Sequence, residues 1–225
     1  MRQNNHLQAP VKFTLQQQTL WLSPDRCIYW EERQLLLLAD LHLGKSGHFR
    51  KAGIGVPQHM FKEDMQRLTA LLQFFKPTGL LVVGDFFHSH NNLEHAYFEK
   101  WRQDFPTLPI QLVKGNHDIL HQNFYANAGI AVHEPSLQLG PFLFAHDQAD
   151  IATIPPNTYL FSGHIHPGIL ISGGGKQSLR LPCFYFGQQY AVLPAFGKFT
   201  GTYLMEPRKG DKVFAIAGKG LVEIN

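Results

Sequence analysis

Short, unbroken apolar runs that each end in polar side chains organise the first half of the chain. "RQLLLLAD" predicts a buried strand ending at Asp40, "GLLVVGD" a second ending at Asp85, and "IQLVKGNHD" a third whose terminus carries Asn116, His117 and Asp118. Runs without polar alternation are what strands buried on both faces show. Between them the period changes. "PQHMFKEDMQRLTALLQFFKP" sets Met60, Met65, Leu68, Leu71, Leu72 and Phe75 at helical spacing and stops at Pro77, and "NLEHAYFEKWRQDF" predicts a second helix. Strands alternating with helices imply parallel βαβ units.

The later half changes character. "FLFAHD", "TYLFSGHIHP", "GILIS", "SLRLPCFYF", "YAVLPAF", "TGTYLME" and "KVFAIAGKGLVEIN" are short apolar segments broken by Gly and Pro, which predict a mainly antiparallel second sheet. "SGGGK" reads as a hairpin-sized turn, not a linker. Both halves are expected in one sandwich, a single domain over residues 1–225.

The polar groups recur where apolar strands end: Asp40 and His42, Asp85, Asn116 and His117, His146, then His164 and His166. In open α/β sheets neighbouring strands deliver their last residues to one crevice, so five strand ends should converge. The set collected there is carboxylates, imidazoles and one amide oxygen. Such N/O ligands suit Mn²⁺, Fe²⁺ or Zn²⁺. Seven of them exceed the needs of one ion, and two ions sharing a carboxylate roughly 3.5–4 Å apart is the economical count.

Composition changes this picture little, with one exception. Of 225 residues 44% are hydrophobic, enough for a substantial core, while 16% are charged and the formal net charge is +3. No strongly basic nucleic-acid surface is written in those figures. Histidine is the exception, with 13 copies, several beside Asp or Gly, which favours metal chemistry. Cys27 and Cys183 stand far apart in no CxxC pair, so reduced thiols are expected. The N-terminus has no apolar signal region and no run nears the roughly 18 residues of a membrane span. A cytoplasmic location without membrane attachment is the expectation.

The series "DLH", "GD", "GNHD", a later His and "GHIH", spanning residues 40 to 166, resembles the calcineurin-like metallophosphoesterases. The resemblance implies an α/β fold, a four-layer α/β/β/α sandwich of two mixed sheets with a dinuclear centre. It implies that Asp40, His42 and His166 hold one ion, that Asn116, His146 and His164 hold the other, and that Asp85 bridges them. His117 matches the histidine that contacts the scissile phosphate and protonates the leaving group, work that suits an imidazole. Asp118 is expected to orient His117 through a hydrogen bond.

Two further stretches bear on substrate. "GDFFHS" and "ADLHLGK" are similar to the Mre/SbcD-type repair nucleases, in which a histidine three residues after the bridging aspartate assists cleavage; here that is His88. "ADLHLGKSGHFRKAGIGVP", "GHIHP", "LPCF" and "LPAFGKFTG" resemble the bacterial ligase-associated DNA damage response endonucleases of the PdeM type, over residues 35 to 205 or so. That resemblance implies Mn²⁺-dependent phosphodiesterase activity, endonuclease action biased to single-stranded DNA, and association with a DNA ligase and a helicase. Lys45, His48, Arg50 and Lys51 follow the first motif and read either as a grip on phosphates, with Lys45, His48 and Arg50 binding substrate, or as a solvated turn. Two other functions stay open: a small-molecule or nucleotide phosphodiesterase on the same centre, and a protein-binding scaffold that has lost catalysis. Exposed strand edges in the C-terminal half leave a homodimer open.

Overall fold

A computed structural model describes residues 9–45, 59–88, 93–173 and 177–224. The chain starts with an antiparallel meander, β1 (Val11–Leu15), β2 (Gln18–Ser23) and β3 (Cys27–Trp30), that pairs antiparallel onto β4 (Leu35–Leu38). The sheet continues in parallel. β5 (Gly79–Val83), β6 (Ile110–Val113) and β7 (Ile130–His133) follow one another, with helices α1 (His59–Phe75), α2 (Leu93–Gln103) and α3 (Gln122–Asn127) in the crossovers. The result is a mixed sheet in strict sequence order from β1 to β7.

β4 shows why its sequence is a continuous leucine run. Leu35 and Leu37 face the core between the sheets, while Leu36 and Leu38 face Met65, Leu68, Leu71 and Leu72 of α1. Each such side chain, fully buried, contributes about 1.5–3 kcal/mol relative to exposure, so both faces favour leucine and no polar position survives. α1 ends one residue before Lys76, which takes a left-handed φ of 47° ahead of Pro77.

The second sheet is built from β8 (Ser136–Leu139), β9 (Phe142–Ala145), β10 (Tyr159–Ser162), β11 (Pro167–Ser172), β12 (Ser178–Phe186), β13 (Tyr190–Val192), β14 (Tyr203–Leu204), β15 (Lys212–Ala217) and β16 (Gly220–Ile224). Its spatial order is β14-β11-β12-β13-β10-β9-β8, with β15 and β16 branching from β12. Most pairings are antiparallel, but β9, β10 and β13 run parallel at the centre, as do β11 and β14 at one edge. That parallel centre delivers the ends of β9 and β10 side by side. Phe142, Phe144, Tyr159, Phe161, Phe184 and Phe186 fill the space against the first sheet. The outer layer on this side is thin: Ile151 and Ile154 of the loop after the 3-10 turn Gln148–Asp150 cover Leu143, Ala145 and Leu160. Among the described residues no helix is long and apolar enough to cross a membrane.

Candidate metal centre

The strand ends converge as the apolar pattern implies, and the backbone locks them together. Asp40 N donates to Gly84 O at 3.1 Å, His42 N to Asp85 O at 2.8 Å and His88 N to Leu43 O at 2.7 Å, so the loops after β4 and β5 extend the ladder beyond the strands. In the other sheet Gly163 N donates to His146 O at 3.0 Å. Asp40 Oδ1 and Oδ2 accept from His164 N at 3.2 and 3.1 Å, which joins the two sheets at the site itself.

Two clusters result. Asp40, His42 and His166 bring one ligand-type atom each to within 4.8 Å of one another, and so do Asp85, His146 and His164. In the first, His42 Nε2 and His166 Nε2 face each other at 3.2 Å. Two nitrogens each about 2.1 Å from one ion lie roughly 3.0–3.4 Å apart at octahedral to tetrahedral angles, so the spacing suits a shared cation. In the second, His146 Nε2 lies 2.9 Å from Asn116 Oδ1 and 3.1 Å from His164 Nδ1. Asp85 Oδ2 stands between the clusters, 3.9 Å from His42 Nε2 and 3.5 Å from His146 Nε2.

The electrostatics point the same way. Burial, followed by the charge of Asp85, pushes the Asp40 carboxyl well above the usual carboxylate range. Burial drives His42 far below the usual imidazole value, with Lys45 and His166 adding to it, and lowers His166 to about 4. His146 is lowered by burial against the opposing pull of Asp85. Neutral imidazoles therefore offer lone pairs around two buried carboxylates, an arrangement costly in a low dielectric unless a cation balances it. The donor set fits divalent ions of intermediate hardness.

Five of these side chains sit on backbone in the left-handed region: Asp40 (φ 54°), His42 (52°), Asp85 (48°), His164 (68°) and His166 (51°). Asp and His visit that region more readily than most residues, yet each visit carries strain of order 1–3 kcal/mol. Three glycines not expected as site residues make room for the ligands. A Cβ on Gly84 would lie 1.8 Å from His146 Nδ1, one on Gly115 2.3 Å from Asp85 Oδ1, and one on Gly163 2.6 Å from Asp40 Oδ2. Their presence in "GD", "GNHD" and "GHIH" was the available signal.

The remaining expected residues divide. His117 and His88 come together, their rings stacked at 4.2 Å and 28°, with centroids 5.5 and 5.4 Å from that of His42. His117 N donates to Asp85 Oδ1 at 2.9 Å. Asp118 does not take the expected partner: Oδ1 accepts from Phe87 N at 2.8 Å and Oδ2 from Gly115 N at 2.9 Å. A fully buried carboxylate needs donors on both oxygens, and the two ligand loops supply them, so Asp118 pins those loops instead of the His117 ring. Burial pushes its pKa up to about 7 against those two amides. Lys45 is half-buried; burial lowers its pKa, and the charges of Asp85 and Asp40 act against that. His48 and Arg50 lie outside the described residues.

Around the first loop a second layer appears that motif reading did not isolate. Gly44 N donates to Glu94 Oε2 at 2.9 Å. Phe196 N and Gly197 N, within "LPAFGKFTG", donate to Ala39 O and Asp40 O at 2.8 and 3.1 Å. That segment is held from behind: buried Arg67 donates to Phe196 O and, at 2.8 Å, to Asp64 Oδ1, and stands 4.2 Å over the Phe196 ring, while Arg26 donates to Ala195 O and Gly197 O.

Known proteins sharpen the assignment. Residues 34–181 match the family model described as calcineurin-like phosphoesterase, a span that contains every residue of both clusters. Among solved structures, the Pseudomonas putida nuclease MPE superposes with a TM-score of 0.80 at 29% identity, over 96% of this chain and 100% of that one. The Escherichia coli phosphoesterase Yfce (12% identity, TM-score 0.44, 84% and 97% covered) and the Aquifex aeolicus protein AQ665 (17%, 0.42, 63% and 82%) are too distant to carry an argument. No curated protein matches the sequence significantly. Strand-end ligands, paired clusters and the match over two thirds of the sequence agree: the chain belongs to the calcineurin-like phosphoesterase family, hydrolases that cleave phosphoric esters with bound metal.

Proposed function

We propose that the protein is a dinuclear metal-dependent phosphodiesterase acting on DNA, with single strands preferred and Mn²⁺ as the working ion. The observation that carries this reading is Asp85 Oδ2, which addresses both clusters at once. Asp40, His42 and His166 would hold one ion, Asn116, His146 and His164 the other, and Asp85 would bridge. Two divalent ions there would lower the pKa of a water nucleophile and neutralise charge on the phosphoryl oxygens; Fe²⁺ or Zn²⁺ suits the same donors.

The side chains supply the rest. The His117 ring contacts the scissile phosphate and passes a proton to the leaving oxygen, a step worth roughly 10²–10⁴ in rate for a positioned acid. His88, stacked on it, restrains the ring and assists with DNA. The bond from His117 N to Asp85 Oδ1 ties this acid to the bridging carboxylate, so a shift in one moves the other. Lys45, whose charge is favoured by Asp40 and Asp85, would bind substrate phosphate together with His48 and Arg50. Support for DNA comes from the nuclease relative and from "GDFFHS" with its His88.

A second reading, a nucleotide or other small phosphodiester as substrate, is favoured by one feature. On the His164 side the cleft is lined by Glu134, Asp147 and Asp150 beside Lys114, a wall that does not invite a long polyanion. The proposal also takes residues 1–225 as one domain working in the cytoplasm beside a DNA ligase and a helicase, with exposed strand edges available for a homodimer. The test is cleavage of matched single-stranded, circular and duplex DNA beside an aryl phosphodiester, in chelated protein repleted with Mn²⁺. Nicking of circular single strands supports the endonuclease; turnover of the aryl ester alone transfers the site to small phosphodiesters.

A further inference from the structure

His164 is the most solvent-facing imidazole of the two clusters, with its side chain 39% exposed against 3% for His146. Both ends of its ring have neighbours. Nδ1 lies 3.1 Å from His146 Nε2, inside the second cluster. Nε2 points away from it and lies 3.6 Å from Asp147 Oδ2.

We infer that Asp147 is a positioning residue for the second ion site: its carboxylate keeps the His164 proton on Nε2, so that the Nδ1 lone pair stays turned toward the centre. The inference rests on the dinuclear reading above. A neutral imidazole has one proton for two nitrogens, and a carboxylate beside one of them selects the tautomer. At 3.6 Å the contact is longer than a hydrogen bond and acts through charge.

The fold explains why this carboxylate is there. β9 and β10 are parallel neighbours with Phe144 opposite Phe161, and just beyond their ends Gly163 N donates to His146 O at 3.0 Å, which brings the residues that follow, Asp147 and His164, side by side. One strand end therefore delivers a ligand, His146, and the next residue orients the ligand of the adjoining strand. Asp147 is itself fixed. Its Oδ1 accepts from Ala149 N at 3.1 Å, and its backbone N donates to Asp150 Oδ2 at 3.3 Å, closing a capping box on the 3-10 turn. With one oxygen so engaged, the other is left aimed at the ring. Among the described residues the first cluster has no equivalent on His42, whose buried Nδ1 finds no hydrogen-bond partner there.

Asp147→Asn separates the two jobs, because asparagine caps a helical turn as well as aspartate does but carries no charge to face His164. Chelated protein is titrated with Mn²⁺ and followed by calorimetry and by the paramagnetic resonance of bound Mn²⁺. Wild type is expected to take up two ions. Asp147→Asn is expected to weaken the second step about 10–100-fold and to reduce the spin-coupled signal, while the first step and the metal-free melting temperature stay unchanged. Asp147→Glu is expected to restore part of the second step. Two unaltered steps in Asp147→Asn would overturn the role of Asp147 and leave the dinuclear centre intact. A metal-free melting temperature that falls, with both steps weakened alike, would make the residue structural and also overturn it. A wild type that binds fewer than two ions would remove the dinuclear reading itself, and the inference with it.

Discussion

Replacing Gly115 by alanine is expected to disable hydrolysis while leaving the sheets assembled. The new Cβ would lie 2.3 Å from Asp85 Oδ1, 2.4 Å from the Asp85 backbone nitrogen and 3.0 Å from its Cγ, where ordinary contact begins near 3.4 Å. The two nearest atoms must therefore retreat by on the order of 1 Å. One of them is main chain, held in place by the bond from His42 N to Asp85 O, and cannot swing aside like the tip of a long side chain. Gly115 has no positive φ, so the substitution tests the contact and not the backbone. Overpacking of this kind costs about 1–3 kcal/mol, which for a chain of this size lowers Tm by roughly 2–12 °C. The larger effect falls on chemistry, since a misplacement of about 1 Å in a positioned group costs around 10²-fold. Turnover of an aryl phosphodiester at saturating Mn²⁺, read beside a thermal melt, measures both. Gly220→Ala, whose Cβ meets nothing within 4 Å, is the neutral control. A Gly115→Ala protein with kcat within a few-fold of wild type would refute the reasoning, because it would mean that Asp85 can move without consequence.

Three other outcomes are expected. His117→Ala should lower kcat roughly 10²–10⁴-fold on DNA, whose alkoxide leaving group needs a proton, and far less on a nitrophenyl ester; equal losses on both would remove its role as acid. His88→Ala should impair DNA cleavage and spare the aryl ester, and parallel losses would make it a general participant in the chemistry. Arg67→Ala would leave the Asp64 carboxylate buried without its guanidinium partner and remove one tie on the Phe196–Gly197 segment, so equilibrium unfolding should show a loss of about 3–5 kcal/mol; a loss below about 1 kcal/mol would show that the pair is dispensable.

The strands bearing ligands were legible because burial on both faces writes them as plain apolar runs, as in "LLLL" and "GLLVV". The meander of β1 to β3 was not. Its first turn is made by Gln16 and Gln17, both in the left-handed region at φ 50° and 61°, where the usual hairpin cue is Asn-Gly or Asp-Gly. β7 and β8, short and partly exposed, and the six-residue α3 left equally little trace. At the site, the seven candidate ligands could be picked out because each is a carboxylate, imidazole or amide side chain at a strand end, and the fold gathers those ends. Asp118 misled because its partners are the amides of Phe87 and Gly115, and a backbone donor has no residue type to read. The Asp147–His164 contact depends on how the ends of β9 and β10 lie side by side, which spacing along the chain does not encode.

The most direct measurement is metal content together with phosphodiester hydrolysis in wild type and Asp85→Ala, each chelated, repleted with Mn²⁺ and desalted. A shared bridging carboxylate requires two ions per wild-type chain, activity that is absent from the chelated protein and returns with metal, and a folded Asp85→Ala protein that neither retains both ions nor hydrolyses the ester. Hydrolysis that survives complete metal removal, or an Asp85→Ala protein with near wild-type metal-dependent activity, would contradict it.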